Sequence, residues 1–181
     1  MSRLIGLGLL LAGLLYPFAV YFGTAHFAPW QFGLLLACLW LLRALTGARN
    51  PGARWMTVLA IVFCLMLAWF DNPQLLRWYP SLVSAFMLAL FGLSLKYGPP
   101  MVERLARLSE PQLPDNAIVY TRKVTVAWSV FFLCNGLIAA ALTLWAPLGW
   151  WTLYNGLIAY GLMGLLFAVE WLIRQRVRGR V

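Results

Sequence analysis

Acidic side chains are scarce in this chain: it has five Asp and Glu residues against fourteen Lys and Arg, and only 10% of its residues are charged. In a soluble domain roughly a quarter of the residues are charged. Because 63% of the residues are also hydrophobic, the composition excludes a soluble fold. Most of the 181 residues are needed for membrane-spanning helices, which leaves no room for a separate globular domain. We therefore predict a single transmembrane domain over 1–181.

Histidine and cysteine are also scarce, and neither occurs in a clustered pattern. His26 is the sole histidine, and the three cysteines, Cys38, Cys64 and Cys134, show no Cys-x-x-Cys spacing. Zinc sites and thiol redox centres are recognised by such spacing, so we expect no metal site, no cofactor and no disulfide. The sequence also offers no pairing of a nucleophile with a general base, and we expect a protein that is not an enzyme.

Thirteen of the fourteen basic residues form four short segments, which separate three long apolar intervals, while Arg77 lies inside the second interval. The segments are Arg3; Arg43, Arg49 and Arg54; Lys96 to Lys123; and Arg174, Arg176, Arg178 and Arg180. About 20 helical residues cross a hydrocarbon core of roughly 30 Å, so each interval is long enough for two crossings. We predict an all-α bundle of six transmembrane helices, at about 4–23, 29–45, 55–70, 79–95, 122–145 and 150–172. The first stretch is longer than the apolar region of a signal peptide, and we expect it to be retained.

The connections between the predicted spans alternate in charge. The turns at 24–28, 71–78 and 146–149 have no net charge, whereas 43–54, 96–123 and the C-terminal tail are basic. Lys and Arg stay on the cytoplasmic side of a membrane, so both termini are predicted to be cytoplasmic. This topology explains the net charge of +9 without nucleic acid. Anionic lipid head groups at the cytoplasmic face are the expected partners.

One five-residue sequence, Asn-Gly-Leu-Ile-Ala, occurs twice in the last predicted hairpin. Its copies begin at Asn135-Gly136 and at Asn155-Gly156. An Asn inside a span needs a partner for its amide, and a neighbouring Gly lets another backbone approach closely. We therefore predict tight contacts at both places, either in helix packing or in a groove that binds a lipid. The two Asn lie at different depths in antiparallel helices, so we do not expect them to bond to each other.

The last predicted helix carries two further signals. Gly164 and Ala168 are small residues four apart, a spacing that permits close packing inside one copy or between copies in a homo-oligomer. Glu170 precedes Arg174 by one helical turn, which is the favourable order for an ion pair. We predict that these two side chains pair at the cytoplasmic boundary.

The longest connection, between the fourth and fifth predicted spans, has a helical period of its own. Val102, Leu105 and Leu108 recur at helical spacing between charged residues. Pro100 can open such a helix and Pro111 ends it. We predict a short amphipathic helix on the cytoplasmic face, whose three apolar residues bind a partner protein or the bilayer surface.

Several motifs appear in the order found in a known family. They include Phe70-Asp71-Asn72-Pro73, Pro100-Met101-Val102-Glu103-Arg104-Leu105 and, most specifically, Ala127-Trp128-Ser129-Val130-Phe131-Phe132. Over roughly 55–172 the chain resembles the bacterial intracellular septation protein A family of small inner-membrane-spanning proteins. It departs from the family at Ala139, where an Asn is usual, and at Tyr154-Asn155-Gly156, where the family's Lys is missing. These departures indicate a divergent sister branch.

The resemblance implies a multi-pass protein of the bacterial inner membrane with a role in the cell envelope, and it supplies no catalytic residue. Two functions follow as alternatives. The protein is a non-enzymatic scaffold or accessory factor that binds division, wall-elongation or other envelope proteins, or it binds or translocates a lipid or polyene-lipid intermediate within the helix bundle.

Overall fold

The computed structural model describes residues 72–108 and 110–178, together with positions 13, 15–23, 28, 30–31, 34, 37–38, 41, 58, 61–62, 64–66 and 69. The described residues are helical apart from short connections, with no strand among them, so the all-α prediction is confirmed for this part of the chain. The predicted spans 4–23, 29–45 and 55–70 lie largely outside the described residues, although 15–23 are helical. His26, Asp71, Arg180 and the basic residues at 3, 43, 49 and 54 lie outside them as well.

The helices of the C-terminal part are separated by short, proline-containing connections. They are α1 (Pro73–Lys96), α2 (Met101–Arg107), α3 (Asp115–Trp145), α4 (Leu148–Leu153), a π-turn (Tyr154–Ile158) and α5 (Ala159–Arg178). Pro100, Pro114 and Pro147 each stand immediately before a helix. Proline lacks an N–H and fixes its own φ, so it starts a helix without leaving a donor unpaired.

Three stretches of the described chain are long and apolar enough to cross a membrane: Gln74–Lys96, Asp115–Trp145 and Leu148–Gln175. They correspond to the predicted spans 79–95, 122–145 and 150–172, but the first two begin earlier than the sequence indicated. At α1 the predicted turn is helical from Pro73, because the Asn72 side chain caps the helix by accepting from the Gln74 N–H at 2.9 Å.

The described helices belong to two compact units. The first comprises Met1–Arg77 and Pro147–Gly156, and the second comprises Trp78–Ala146 and Leu157–Val181. The second unit contains most of α1 and all of α2, α3 and α5, and it is the unit that carries the candidate site.

In the first unit, two side chains bond to backbone carbonyls near the start of α1. Pro80 lies inside α1 and has no N–H, so the carbonyl of Leu76, four residues earlier, lacks its helical donor. The Tyr16 hydroxyl donates to that carbonyl at 2.9 Å. The Trp151 indole Nε1 donates to the carbonyl of Arg77 at 3.1 Å. Because Tyr16, Leu76 and Trp151 are all buried, water cannot bond to these carbonyls, and the two side chains supply the donors instead.

The core of the second unit is a cluster of aromatic side chains. Phe91, Val124, Trp128 and Phe132 are buried together. Phe91 meets Phe132 edge to face at 5.3 Å between ring centroids, and Trp128 lies 4.5 Å from the Phe167 ring. In a membrane such packing stabilises by close contact rather than by removal of water. The cluster therefore fixes α1, α3 and α5 through shape complementarity.

The short helix α2 is fixed to α1 and α3 through its first turn. The Met101 N–H donates to Ser94 Oγ at 2.9 Å, and the Val102 N–H donates to Thr125 Oγ1 at 3.2 Å. The first N–H groups of a helix have no acceptor inside that helix. Ser94 and Thr125 supply acceptors for two of these groups in α2.

Removing one of these acceptors is expected to loosen α2. In a Ser94→Ala variant the Met101 N–H loses its partner, and an unsatisfied buried donor costs about 1–3 kcal/mol. We expect amides over 101–108 to exchange hydrogen roughly tenfold faster, as measured by mass spectrometry in nanodiscs. Ser129→Ala is the matched control, because the Ser129 hydroxyl bonds to Thr125 O within α3. Equal exchange in both variants would contradict this role for Ser94.

Candidate functional site

A cleft of about 840 Å³ opens in the second unit and is lined by residues from α1, α2, α3, α5 and the connection before α3. Its volume lies within the range of about 300–1,000 Å³ that is usual for small-molecule sites. On α3 the lining residues Tyr120, Val124, Trp128 and Phe132 are four apart, and they form one row along the helix. The cleft therefore runs lengthwise along α3.

One end of the cleft is apolar and aromatic. Met87 and Phe91 from α1, Trp128 and Phe132 from α3 and Phe167 from α5 line this end. Phe91, Trp128 and Phe132 also belong to the core of the unit. The core side chains thus form the wall of the cleft, and no polar side chain interrupts them at this end.

The other end carries a hydrogen-bonded network. Arg174 Nη2 lies 2.9 Å from Glu170 Oε2 in an ion pair between successive turns of α5. The Tyr120 hydroxyl donates to the Glu170 carbonyl at 3.0 Å and lies 3.3 Å from Glu170 Oε1. Glu110 and Asn116 line the same end. Arg174 is about half exposed, with 48% of its side chain accessible, so its guanidinium remains open to a further partner.

Asn135 and Gly136 do not line the cleft; they lie at a contact between α3 and α1. The buried Asn135 Nδ2 donates to Ser84 Oγ at 3.0 Å. A Cβ added to Gly136 would come 3.1 Å from the Ser84 Cβ. The amide partner and the close approach expected from the sequence are both present here, and both come from Ser84.

Asn155 and Gly156 lie in the first unit, on the π-turn. Asn155 Nδ2 donates to the Trp151 carbonyl at 2.9 Å, whereas the buried Oδ1 has no hydrogen-bond partner among the described residues. A side chain that takes the carbonyl four residues earlier competes with the helical backbone bond, which favours the local π geometry. A Cβ on Gly156 would come 2.8 Å from the Phe18 ring. The two Asn-Gly copies therefore have different surroundings.

The apolar residues of α2 differ in exposure. Val102 is half-buried, while Leu105 is 53% and Leu108 82% exposed. Val102 and Leu105 also line the cleft, as do Glu170 and Arg174. Glu103, which the sequence groups with the charged residues of α2, is buried and pairs with Arg107 at 2.7 Å. The cleft thus brings together two predicted features: the apolar residues Val102 and Leu105 of α2, and the ion pair of Glu170 with Arg174.

Sequence reasoning missed the residues that form most of the cleft. Their signal was present as two rows at helical spacing, which can be read as candidate faces: Tyr120, Val124, Trp128 and Phe132 on α3, and Met163 and Phe167 on α5, in line with the predicted pair Glu170 and Arg174. Within the described residues, His, Cys, Asp and Glu nowhere form a group of three or more that could hold a metal ion.

Together, the helices and the apolar composition define a multi-pass, all-helical membrane protein. Over 109 residues the chain is 28% identical to the inner membrane-spanning protein YciB of Sodalis glossinidius (strain morsitans). The aligned residues make up 60% of this chain and 58% of that protein. Over 120 residues it is 28% identical to the inner membrane-spanning protein YciB of Serratia proteamaculans (strain 568), covering 65% of each. No family model matches the chain. No solved structure matches it either.

These similarities confirm the resemblance noted from the motifs, and their distance agrees with a divergent branch. The chain spans less than two thirds of the length of the two curated relatives, 58% and 65%. Both relatives are named for spanning the inner membrane, and the described chain has three helices long enough to do so. The protein is accordingly a multi-pass protein of the bacterial inner membrane.

The close approach at Gly156 generates a stability prediction. In Gly156→Ala the new methyl group would meet the Phe18 ring, and overpacking of this kind costs about 1–3 kcal/mol. We expect a lower Tm in detergent by differential scanning fluorimetry. Gly161→Ala is the control, because nothing lies within 4 Å of a Cβ at that position. A Gly156→Ala protein as stable as the Gly161→Ala protein would disprove the contact.

Proposed function

We propose that the protein is a non-enzymatic accessory factor of the bacterial cell envelope, which binds division, wall-elongation or other envelope proteins through α2. The observation that carries this proposal is the exposure of Leu105 on α2 and of Leu108 directly after it, since the first turn of α2 is hydrogen-bonded to α1 and α3. Exposed apolar side chains on a fixed support are typical of protein interaction sites. The similarity to inner membrane-spanning proteins supports an envelope location for that interaction.

The proposal includes a topology of six crossings with both termini and α2 on the cytoplasmic side. The charges of the described helices support it. Lys96, Arg104, Arg122 and Arg174 lie at one set of helix ends, whereas the turn at 146–149 is neutral. Basic residues on the cytoplasmic side also bring α2 close to anionic lipid head groups.

The partner proposal is tested by photo-crosslinking in living cells. A photoreactive amino acid at position 108 is expected to capture an envelope or division protein that mass spectrometry identifies. Position 119 is the control, since Val119 is also exposed, near the start of α3, and is not part of α2. Replacing Leu105 and Leu108 by Gln is expected to lower partner recovery about tenfold, which corresponds to the loss of one interface anchor. Identical crosslinks at 108 and 119 would refute the proposal.

The topology is tested by cysteine labelling in intact cells, with Cys38, Cys64 and Cys134 first replaced by Ala. A membrane-impermeant maleimide is expected to label Gly149→Cys, in the outer turn, and not Gln112→Cys, before α3. Position 149 tolerates the change, since nothing lies within 4 Å of a Cβ there, and Gln112 is exposed. Labelling of Gln112→Cys without cell lysis would place α2 outside and exclude this topology.

A second candidate function is the binding or translocation of a lipid or polyene-lipid intermediate. The cleft of the second unit favours it, because its apolar wall and its polar end suit an amphiphile. Asn135 and Asn155 contribute little to this candidate, since neither lines the cleft. For this function the residues of interest are those of the two lining rows on α3 and α5.

A further inference from the structure

The cleft has the length and the polarity of one leaflet of a bilayer. From Tyr120 to Phe132 it runs about 18 Å along α3, at 1.5 Å per residue. From Met163 to Arg174 it runs about 16 Å along α5. Half of a bilayer's hydrocarbon core is about 15 Å thick. A ligand lying along these rows would therefore extend from the membrane boundary to about the midplane.

The order of side chains along the cleft matches the order of groups in a phospholipid. The charged pair Glu170 and Arg174 lies at the end of the α5 row that leads to the basic tail, and Tyr120 joins it from α3. Phe132 and Met163 mark the opposite, apolar end. A free phosphate or a soluble peptide would leave the apolar wall of the cleft without a contact, whereas a phosphate that carries an acyl chain would contact both the polar and the apolar end.

The lining of the polar end carries the carboxylates of Glu110 and Glu170 beside the guanidinium of Arg174, so a phosphate has to bind on the part of Arg174 that Glu170 leaves open. One guanidinium nitrogen, Nη2, bonds to Glu170 Oε2 at 2.9 Å, and the side chain is 48% exposed. Arg has five N–H donors in a planar fork, so the ion pair with Glu170 leaves donors for a phosphate oxygen. The Tyr120 hydroxyl lies 3.3 Å from Glu170 Oε1, the carboxylate oxygen that is not bonded to Arg174 Nη2. The ion pair with Glu170 also keeps Arg174 at the mouth of the cleft.

We propose that the cleft between α1, α3 and α5 is a binding site for a phospholipid of the cytoplasmic leaflet, with one acyl chain along the aromatic wall and the phosphate against Arg174. The proposal rests on the second candidate function and adds its site and its ligand class. The proposed partner surface shares Leu105 with the cleft, whereas Leu108 does not line it, so a change at Leu108 alone separates the partner surface from the lipid site.

The test uses the full-length protein in nanodiscs of phosphatidylethanolamine and phosphatidylglycerol. A phosphatidylglycerol probe with a photoreactive acyl chain is expected to label peptides that contain 124–132 and 163–167. Labelling there saturates as the probe fraction rises, because the site holds a single chain, while labelling of the outer surface rises in proportion. Cleft labelling that never saturates overturns the proposal, and this measurement needs no variant.

Two pairs of variants locate the two ends of the ligand. Met163→Trp fills the apolar end and is expected to lower cleft labelling about tenfold, as for the loss of roughly two buried CH₂ groups. Leu162→Trp is its control, since the exposed Leu162 does not line the cleft. Arg174→Gln is expected to lower labelling by the phosphatidylglycerol probe about tenfold. The lowered level should approach the labelling by a photoreactive diacylglycerol, which has no phosphate for Arg174 to bind. Arg122→Gln, at an exposed arginine outside the cleft, is its control.

The outcomes separate the site from the broader function. Equal labelling in Met163→Trp and Leu162→Trp, or in Arg174→Gln and Arg122→Gln, overturns the proposed site. Saturable labelling confined to peptides around Ser84 and Asn135 also overturns it, while leaving lipid binding elsewhere in the bundle intact. A complete absence of saturable labelling removes both the site and the second candidate function.

Discussion

A polar group at membrane depth has no water to bond to, so it must find a partner inside the protein. This constraint accounts for several of the hydrogen bonds between the described helices. The Tyr16 hydroxyl bonds to a carbonyl that Pro80 leaves without its helical donor, and Ser84 accepts from Asn135. Other hydroxyls bond to carbonyls of their own helices, as Thr143 does to Ala139. Polar side chains in these helices thus bond either to a neighbouring helix or to a carbonyl of their own helix. The cleft is lined mainly by the rows of apolar residues on α3 and α5.

The cleft and α2 are built from the same pieces of chain. Val102 presents its N–H to α3 through Thr125 and its side chain to the cleft. Leu105 lines the cleft and is also more than half exposed. A molecule in the cleft and a protein on α2 would therefore contact neighbouring faces of one seven-residue helix. This arrangement would give a physical route by which lipid composition and partner binding influence each other, because both would contact α2.

Helical content and the three described spans were predictable, because they depend on composition and on the spacing of charges alone. The start of α1 was not, since it depends on a cap from Asn72 and on the tolerance of Pro80 within the helix. The ion pair of Glu170 with Arg174 follows from local spacing and is present. Glu103 and Arg107 have the same four-residue spacing, and they also pair. The burial of Glu103, however, depends on tertiary packing, so it could not be predicted from the helical period. The two Asn-Gly copies make the same point: identical sequences bond to different partners.

The π-turn at Tyr154–Ile158 bears on how this chain is compared with its relatives. A π-turn holds one residue more than the α-helical turn it replaces, and one residue corresponds to about 100° of rotation around a helix. A relative whose last helix is α-helical throughout would have one residue fewer at this point. An alignment without a gap there would pair the cleft-facing residues of α5 with residues on another side of the relative's helix. A comparison of Glu170 and Arg174 with such a relative therefore needs a one-residue gap between positions 154 and 158.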